Sequence, residues 1–318
     1  MKAKRRFNIW LWVLLCVPCL LASCDHDVHD GEDEGGLSVS LTWADKADQG
    51  TEVKDVKLWI FDADDANNLM NLSMAERFDK FKEKGFGSVM IWLGPDAKES
   101  ADERATLAER AGLFIENFHL SCDHLNEMWI DCKEGDERIS RFKDEIAAAS
   151  KHGVKTVVCH LTHGDFPPFV STIGTNRIED LVKFAENANV KLAFENVITK
   201  DHVTYVLENF KSPYVGLCYD VGHDHYWRVQ DWLGLFGDRV FALHLHDNFA
   251  DKDSHFIPFD GSIDWQYTLP RLAKTSYRGT TTLETKDAAY VYDASPDKYL
   301  EHALSVGNYI DKFLESNR

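Results

Sequence analysis

Basic charge is scarce in this chain. Against 53 Asp and Glu, its 318 residues carry 35 Lys and Arg, a net charge of −18 at pH 7. Nucleic-acid partners usually demand a basic face, so this balance argues against them. A basic aromatic loop of the kind that wedges into a duplex is also missing. Cysteine is sparse, with seven residues, and the last four (Cys122, Cys132, Cys159, Cys218) form neither a C-x-x-C pair nor a zinc-ribbon spacing. No Gly-rich phosphate loop comes after the first strand-like run, which removes the main sign of an open dinucleotide-binding sheet. Nor is there a phosphate cradle elsewhere, so a phosphorylated substrate is not required. The early, mostly apolar run at 7–21 has 15 residues, too short for a membrane span and suited to a signal-peptide core.

The chain's first segment is built for export. Lys2, Lys4, Arg5 and Arg6 precede the apolar run, which ends in Leu21-Ala22-Ser23-Cys24. That ending resembles a bacterial lipobox, which implies cleavage before Cys24, a lipid on that cysteine, and anchorage to the outer membrane on its periplasmic or cell-surface side. An ordinary secretory signal or an uncleaved anchor is the alternative. Residues 1–23 are therefore expected to be a lipoprotein signal peptide. Residues 24–36, acidic and Gly-containing, are expected to be a disordered tether and resemble the surface-export signal of Bacteroidetes lipoproteins. Residues 37–55 alternate like an edge strand and weakly resemble the start of Bacteroidales fimbrial-anchor lipoproteins. They look unlike the rest of the chain, so a graft is expected between about 37 and 70. In an oxidising compartment a Cys122–Cys132 bridge is open. Cys159 and Cys218 lie in strand-like runs and are simplest as small core residues.

From residue 56 onward, apolar runs alternate with helical patterns eight times. Strands are expected at 56–61, 88–93, 113–119, 156–160, 191–197, 215–220, 240–246 and 280–284. Helices are expected at about 73–84, 101–111, 136–151, 176–188, 200–210, 228–236, 264–275 and 296–315. This is the pattern of an α/β fold, a (β/α)8 TIM barrel over 56–318 behind its N-terminal signal and tether. Such barrels build their active sites where the strands stop. Here the strands stop on metal-capable side chains.

Four motifs close strands five to eight: Phe194-Glu195-Asn196, Cys218-Tyr219-Asp220-Val221-Gly222-His223, Leu243-His244-Leu245-His246-Asp247-Asn248, and Leu283-Glu284. In that order they resemble the xylose isomerase-like barrel superfamily, which holds sugar (phosphate) isomerases and epimerases alongside apurinic endonucleases of family 2. The resemblance covers about 70–318. It implies that Glu195, Asp220, His246 and Glu284 hold one divalent cation, with Mn, Mg or Co suited to a three-carboxylate set and Zn an alternative. It also implies that Glu195 and Glu284 remove and return a proton beside a sugar carbonyl, through an enediolate.

Five further side chains match endonuclease positions. His119 and His160 close strands three and four, His223 stands in the loop after strand six, and Asp253-Ser254-His255 comes after strand seven. They are candidates for additional cations or for binding sugar hydroxyls. Trp92, Trp129, Trp227 and Phe259 are candidates to stack on a sugar or to pack as core. His124, His163, His225 and His244 are weaker, with His244 expected to point away from the face that His246 uses. Asp247 and Asn248 are expected to orient ligands, and the His163–Pro168 loop to cover the mouth. The functions consistent with these residues are a sugar isomerase or epimerase, an apurinic endonuclease-like phosphodiesterase, and a keto-sugar lyase or hydratase. A non-catalytic lipid-anchored carbohydrate-binding protein is the fourth. A small sugar and the membrane, through Cys24, are the expected partners; self-assembly is left open.

Overall fold

Among the described residues, apolar runs bounded by polar stops become eight short strands: β1 (Lys57–Ile60), β2 (Ser88–Trp92), β3 (Phe114–His119), β4 (Thr156–Cys159), β5 (Lys191–Glu195), β6 (Val215–Asp220), β7 (Val240–His244) and β8 (Thr282–Thr285). The computed structural model describes residues 57–60, 72–94, 99–279, 281–286 and 295–318. The expected signal peptide, tether, extension and graft boundary lie outside the described residues.

Every neighbouring pair is parallel, in the order β7-β6-β5-β4-β3-β2-β1-β8. Just past β7, Leu245 N–H donates to Thr282 O (2.9 Å) and Glu284 N–H donates to Leu245 O (3.0 Å), which brings the two ends of the sheet together. The sheet thus curls round until its two end strands meet at this bridge.

Side-chain parity divides the wall into two faces. Leu192, Phe194, Leu217, Leu243 and Leu245 belong to the large apolar core that includes buried residues of the helices. Val158, Ala193, Cys218 and Ala242 make a separate small cluster, the floor of the barrel interior. Two residues beyond each of these, on the same face, stand His160, Glu195, Asp220 and His244. Small residues thus fill the lumen below, and polar ones crown it.

The helices are α1 (Met74–Lys84), α2 (Ala101–Arg110), α3 (Lys133–Lys151), α4 (Thr172–Ala188), α5 (Lys200–Asn209), α6 (Val221–Trp227), α7 (Trp232–Phe236), α8 (Trp265–Ala273) and α9 (Pro296–Asn317). Capping boxes at Ser73/Glu76 and Ser100/Glu103 start α1 and α2. Gly85, at φ 103°, ends α1 in the left-handed region that glycine tolerates best.

Three helices depart from the expected pattern. The helices expected from 136 and 176 begin earlier, at Lys133 and Thr172. The expected helix 228–236 is instead a short helix, α7, and a new helix, α6, starts directly after β6. The reason is Asp220, whose carboxylate caps α6 by accepting the His223 N–H (2.6 Å). Arg228, at φ 49°, then stops it. His223 therefore sits on a helix rather than in a loop.

Cys122 and Cys132 are both free. Arg177 fastens the segment that contains Cys132, donating to the carbonyls of Met128 (3.0 Å), Ile130 (2.6 Å) and Cys132 (2.9 Å).

Candidate metal centre at the mouth of the barrel

Glu195, Asp220, His244 and Glu284 converge from the ends of four strands, and each offers a ligand atom within 4.8 Å of the others. His244 Nδ1 lies 2.7 Å from Glu284 Oε2, 3.2 Å from Glu195 Oε2 and 3.8 Å from Asp220 Oδ2. All four residues are buried. The imidazole among the carboxylates is thus His244, the one expected to point away. Residues two apart share a face of a strand, so His244 and His246 both turn inward. His244 is the deeper of the two, level with Asp220 in the β6–β7 register.

His246 joins a second group, with His223, Asp253 and His255. Asp253 Oδ2 lies 3.3 Å from His223 Nε2 and 3.0 Å from His255 Nε2. The His246 and His255 rings stack at 4.0 Å, and His246 Nε2 approaches Asp220 Oδ1 at 3.0 Å. Gly222 makes room for this ring, because a Cβ there would lie 1.9 Å from His246 Cε1. On the opposite side, His119 Nε2 and His160 Nε2 approach Glu195 Oε2 at 3.2 and 3.0 Å. The residues expected at the site therefore all reach the mouth, but in three adjoining groups, with Glu195 common to two.

The histidines are oriented from behind. His119 Nδ1 faces Leu120 O (3.0 Å), His223 Nδ1 faces Asn196 O (3.0 Å), and His255 Nδ1 faces Glu284 O (2.9 Å). A carbonyl only accepts, so each Nδ1 must carry its proton. In the His119 and His255 rings, which burial keeps neutral, Nε2 then presents a lone pair toward a carboxylate oxygen. Two acceptors at about 3 Å repel unless a positive species lies between them. Fixing Nδ1–H on a carbonyl and aiming Nε2 at the site is also how metal-binding histidines are usually held. Glu195 Oε1 and Glu284 Oε2 are buried with only an imidazole nitrogen close by, His223 Nδ1 at 3.1 Å and His244 Nδ1 at 2.7 Å, neither aligned for a good hydrogen bond, and His246 Nδ1 and Asp253 Oδ1 are buried without a hydrogen-bond partner. The donor set fits a divalent cation.

Electrostatics separate the carboxyls. Burial pushes Glu284 up to about 7 against the pull of His244. Burial also acts to raise Glu195, but His244 and His160 outweigh it and hold this carboxyl well below the usual range. Asp220 is held at about 2, its burial overcome by His223 and His246. Burial lowers His119 and His255 to about 4, so both rings are neutral near pH 7.

Other expected residues take supporting places. Trp92 packs on the His119 ring and Trp227 on the His223 ring, each with centroids 4.6 Å apart. Trp129 is core, with its Nε1–H donating to Leu161 O (2.7 Å). Phe259 packs against Trp265 and Tyr309. His163, on the loop after β4, exchanges two hydrogen bonds with Asn126, and Phe166 and Phe169 beyond it are almost fully exposed. Asp247 does not reach a ligand. Its carboxylate gathers the loop that carries Asp253 and His255, accepting from Asn248 N–H (2.9 Å), Phe259 N–H (3.0 Å), Ile263 N–H (3.1 Å) and Trp265 Nε1–H (2.7 Å). Cys122, which no spacing motif marks, also stands beside His119 and His160.

The family model for the xylose isomerase-like TIM barrel matches residues 78–307, well over half of the chain. The chain belongs to that family. An uncharacterized protein, y4fM, of Sinorhizobium fredii (strain NBRC 101917 / NGR234) is 29% identical over 199 residues. That match covers 57% of this chain and 62% of the relative, so the chain spans less than two thirds of the relative's length. Among solved structures, an L-ribulose 3-epimerase superposes with a TM-score of 0.60 at 16% identity, covering 77% of this chain and 90% of that one. The IolI protein with a bound zinc atom superposes with a TM-score of 0.57 at 18% identity, covering 82% and 99%. At these identities the likeness is one of fold.

Proposed function

We propose that the protein is a divalent-metal-dependent sugar isomerase or epimerase that moves a proton on the carbon beside a carbonyl. The observation that carries this reading is the facing pair Glu195 and Glu284, from strands that are not neighbours, with His244 between them. One carboxylate takes the proton and the other returns it, which inverts the carbon when they act from opposite faces. Glu195, Asp220, His244 and Glu284 would hold the cation. When bound, it supplies positive charge against the enediolate oxygens that proton loss leaves. Trp92 and Trp227 flank the mouth and would cover the sugar's apolar faces. The L-ribulose 3-epimerase fold neighbour supports a small sugar as substrate. A keto-sugar lyase or hydratase would use the same acidified carbon.

The test is a panel of keto-sugars in deuterated water with Mn, Co, Mg or Zn supplied. Solvent deuterium should enter the carbon beside the carbonyl, and Glu195→Gln or Glu284→Gln should slow exchange by about 10²–10⁴-fold. If both variants exchange at the parent rate, the pair is not the base. A second reading, phosphodiester hydrolysis, is favoured by the three adjoining groups of acids and histidines. It requires cleavage of abasic duplex DNA that is lost on chelation, and the net charge of −18 weighs against it. We further propose export and lipid attachment at Cys24, which mass spectrometry of the membrane-extracted protein would register as a diacylglyceryl adduct.

A further inference from the structure

Directly past Glu195 the wall of the barrel breaks its own pattern. The inward-facing residues His160, Asp220 and His244 are each followed by an apolar side chain, Leu161, Val221 and Leu245, that joins the core behind the sheet. Glu195 is followed instead by Asn196, which is 1% exposed. An amide buried there is unfavourable unless both of its polar ends are paired. Both are paired, and with the same residue. Asn196 Oδ1 accepts from Asp220 N–H (2.7 Å), and Asn196 Nδ2–H donates to Asp220 O (2.8 Å).

The regular β5–β6 pairing ends at Glu195 and Cys218, and Asn196 N–H reaches Cys218 O only at 3.4 Å. Where the backbone ladder gives out, the side-chain amide supplies the C=O and N–H of one more peptide unit. The main-chain O of Asn196 also accepts from His223 Nδ1–H (3.0 Å). One residue thus continues Glu195, holds both backbone groups of Asp220 and orients His223. We propose that Asn196 is a positioning residue that sets the spacing of Glu195 and Asp220 across the β5–β6 seam, and through it the cation affinity and proton-transfer rate of the carboxylate centre. The second of these effects rests on the proton-transfer reading. An apolar residue here would pack the same core but leave Asp220 N–H and O unpaired, and the strand end free to shift. Groups that orient ligands from behind typically change cation affinity about 10–100-fold when removed.

The test compares Asn196→Ala and the milder Asn196→Ser, whose hydroxyl serves at most one of the two bonds, with the control Asp311→Ala. Asp311, on α9, accepts from Thr281 N–H (2.6 Å) at the start of β8, away from the mouth. Its loss weakens the barrel without reaching the centre. Hydrogen exchange at the Asp220 amide should quicken at least about tenfold in both Asn196 variants and stay near the parent rate in the control. Calorimetric titration should show Mn²⁺ affinity falling about 10–100-fold in Asn196→Ala, and less in Asn196→Ser. At saturating Mn²⁺, kcat for solvent-deuterium exchange should fall at least about tenfold while KM stays within about threefold, because a misplaced carboxylate hurts the transition state more than sugar binding. Asp311→Ala should leave affinity and kcat within about twofold, whatever its melting temperature. The inference is overturned if the parent takes up no Mn²⁺, if folded Asn196→Ala binds it like the parent, or if Asp311→Ala weakens binding as much. It is overturned too if neither Asn196 variant folds, since the residue then serves the fold alone. If affinity falls as expected but the parent exchanges deuterium with no keto-sugar, the positioning role stands and the proton-transfer reading fails.

Discussion

Replacing Asp247 should cost more stability than replacing any of the candidate ligands. Its buried carboxylate accepts four donors, three backbone N–H groups and the Trp265 indole, at 2.7–3.1 Å. Asp247→Ala strands all four. A buried unpaired donor costs roughly 1–3 kcal/mol, and because neighbouring donors can share relief we expect about 4–6 kcal/mol in all. That is a large part of the roughly 5–15 kcal/mol typical of a folded domain. Asp247→Asn keeps one acceptor oxygen but turns an NH₂ toward two donors, so about half that loss is expected. Gly261 tightens the constraint, since a Cβ there would lie 2.2 Å from Asp247 Oδ1, leaving no room for a larger group to compensate. Urea unfolding of the parent and both variants, monitored by tryptophan fluorescence and circular dichroism, supplies the comparison. The loss should appear as a lower midpoint at similar slope. Cation uptake by His223, Asp253 and His255 should also weaken, because the loop that carries two of them loses its anchor. A shift below about 1 kcal/mol for Asp247→Ala would refute the reasoning, since four such bonds cannot be that weak together.

Three other outcomes are expected at and around the site. His244→Ala should lower cation affinity at the carboxylate centre by at least about tenfold, whereas His246→Ala should leave most of it, as measured by calorimetric titration with Mn²⁺; the reverse ranking would return the ligand role to His246. Gly222→Ala should cost about 1–3 kcal/mol in thermal and urea melts, because its methyl group meets the packed His246 ring. Burial raises Glu145 from 4.5 to about 7 despite the opposing pull of Ser121 and Arg138. The stability tied to its protonated form is therefore full below about pH 4.5 and lost as pH rises through 7. Glu145→Gln should gain on the parent across that window by up to ~3 kcal/mol, and parallel stability curves from pH 5 to 8 would contradict it.

Much of this architecture was legible because parallel strands are continuous apolar runs that stop abruptly, and the polar residue at each stop is the one the barrel mouth receives. Glu195, Asp220 and Glu284 could be named that way. His244 and His246 could not be ranked by composition, and counting two residues as opposite faces misplaced His244; correct parity leaves both inward, and the β6–β7 register ranks their depth. Helix α6 was hidden because Gly222 argues against a helix, while the Asp220 cap that starts it doubles as a candidate ligand. Trp129 read equally as a sugar platform or as core, and it is core, because its indole N–H finds Leu161 O inside the protein. Cys122 read only as half of a possible bridge to Cys132, and its place at the mouth was hidden: His119 and His160 come from two strands, and only the pairing of those strands brings them to it.

A single carboxylate oxygen, Glu195 Oε2, is approached by His119, His160 and His244. Whatever positive charge settles on one side of it weakens what it offers to the other. Were an ion to settle on each side, their occupancies would be linked, and reciprocally so: the factor by which the first penalises the second must equal the factor by which the second penalises the first. Such a pair of ions would fill in two unequal steps, and ion supply would then set which form of the protein prevails.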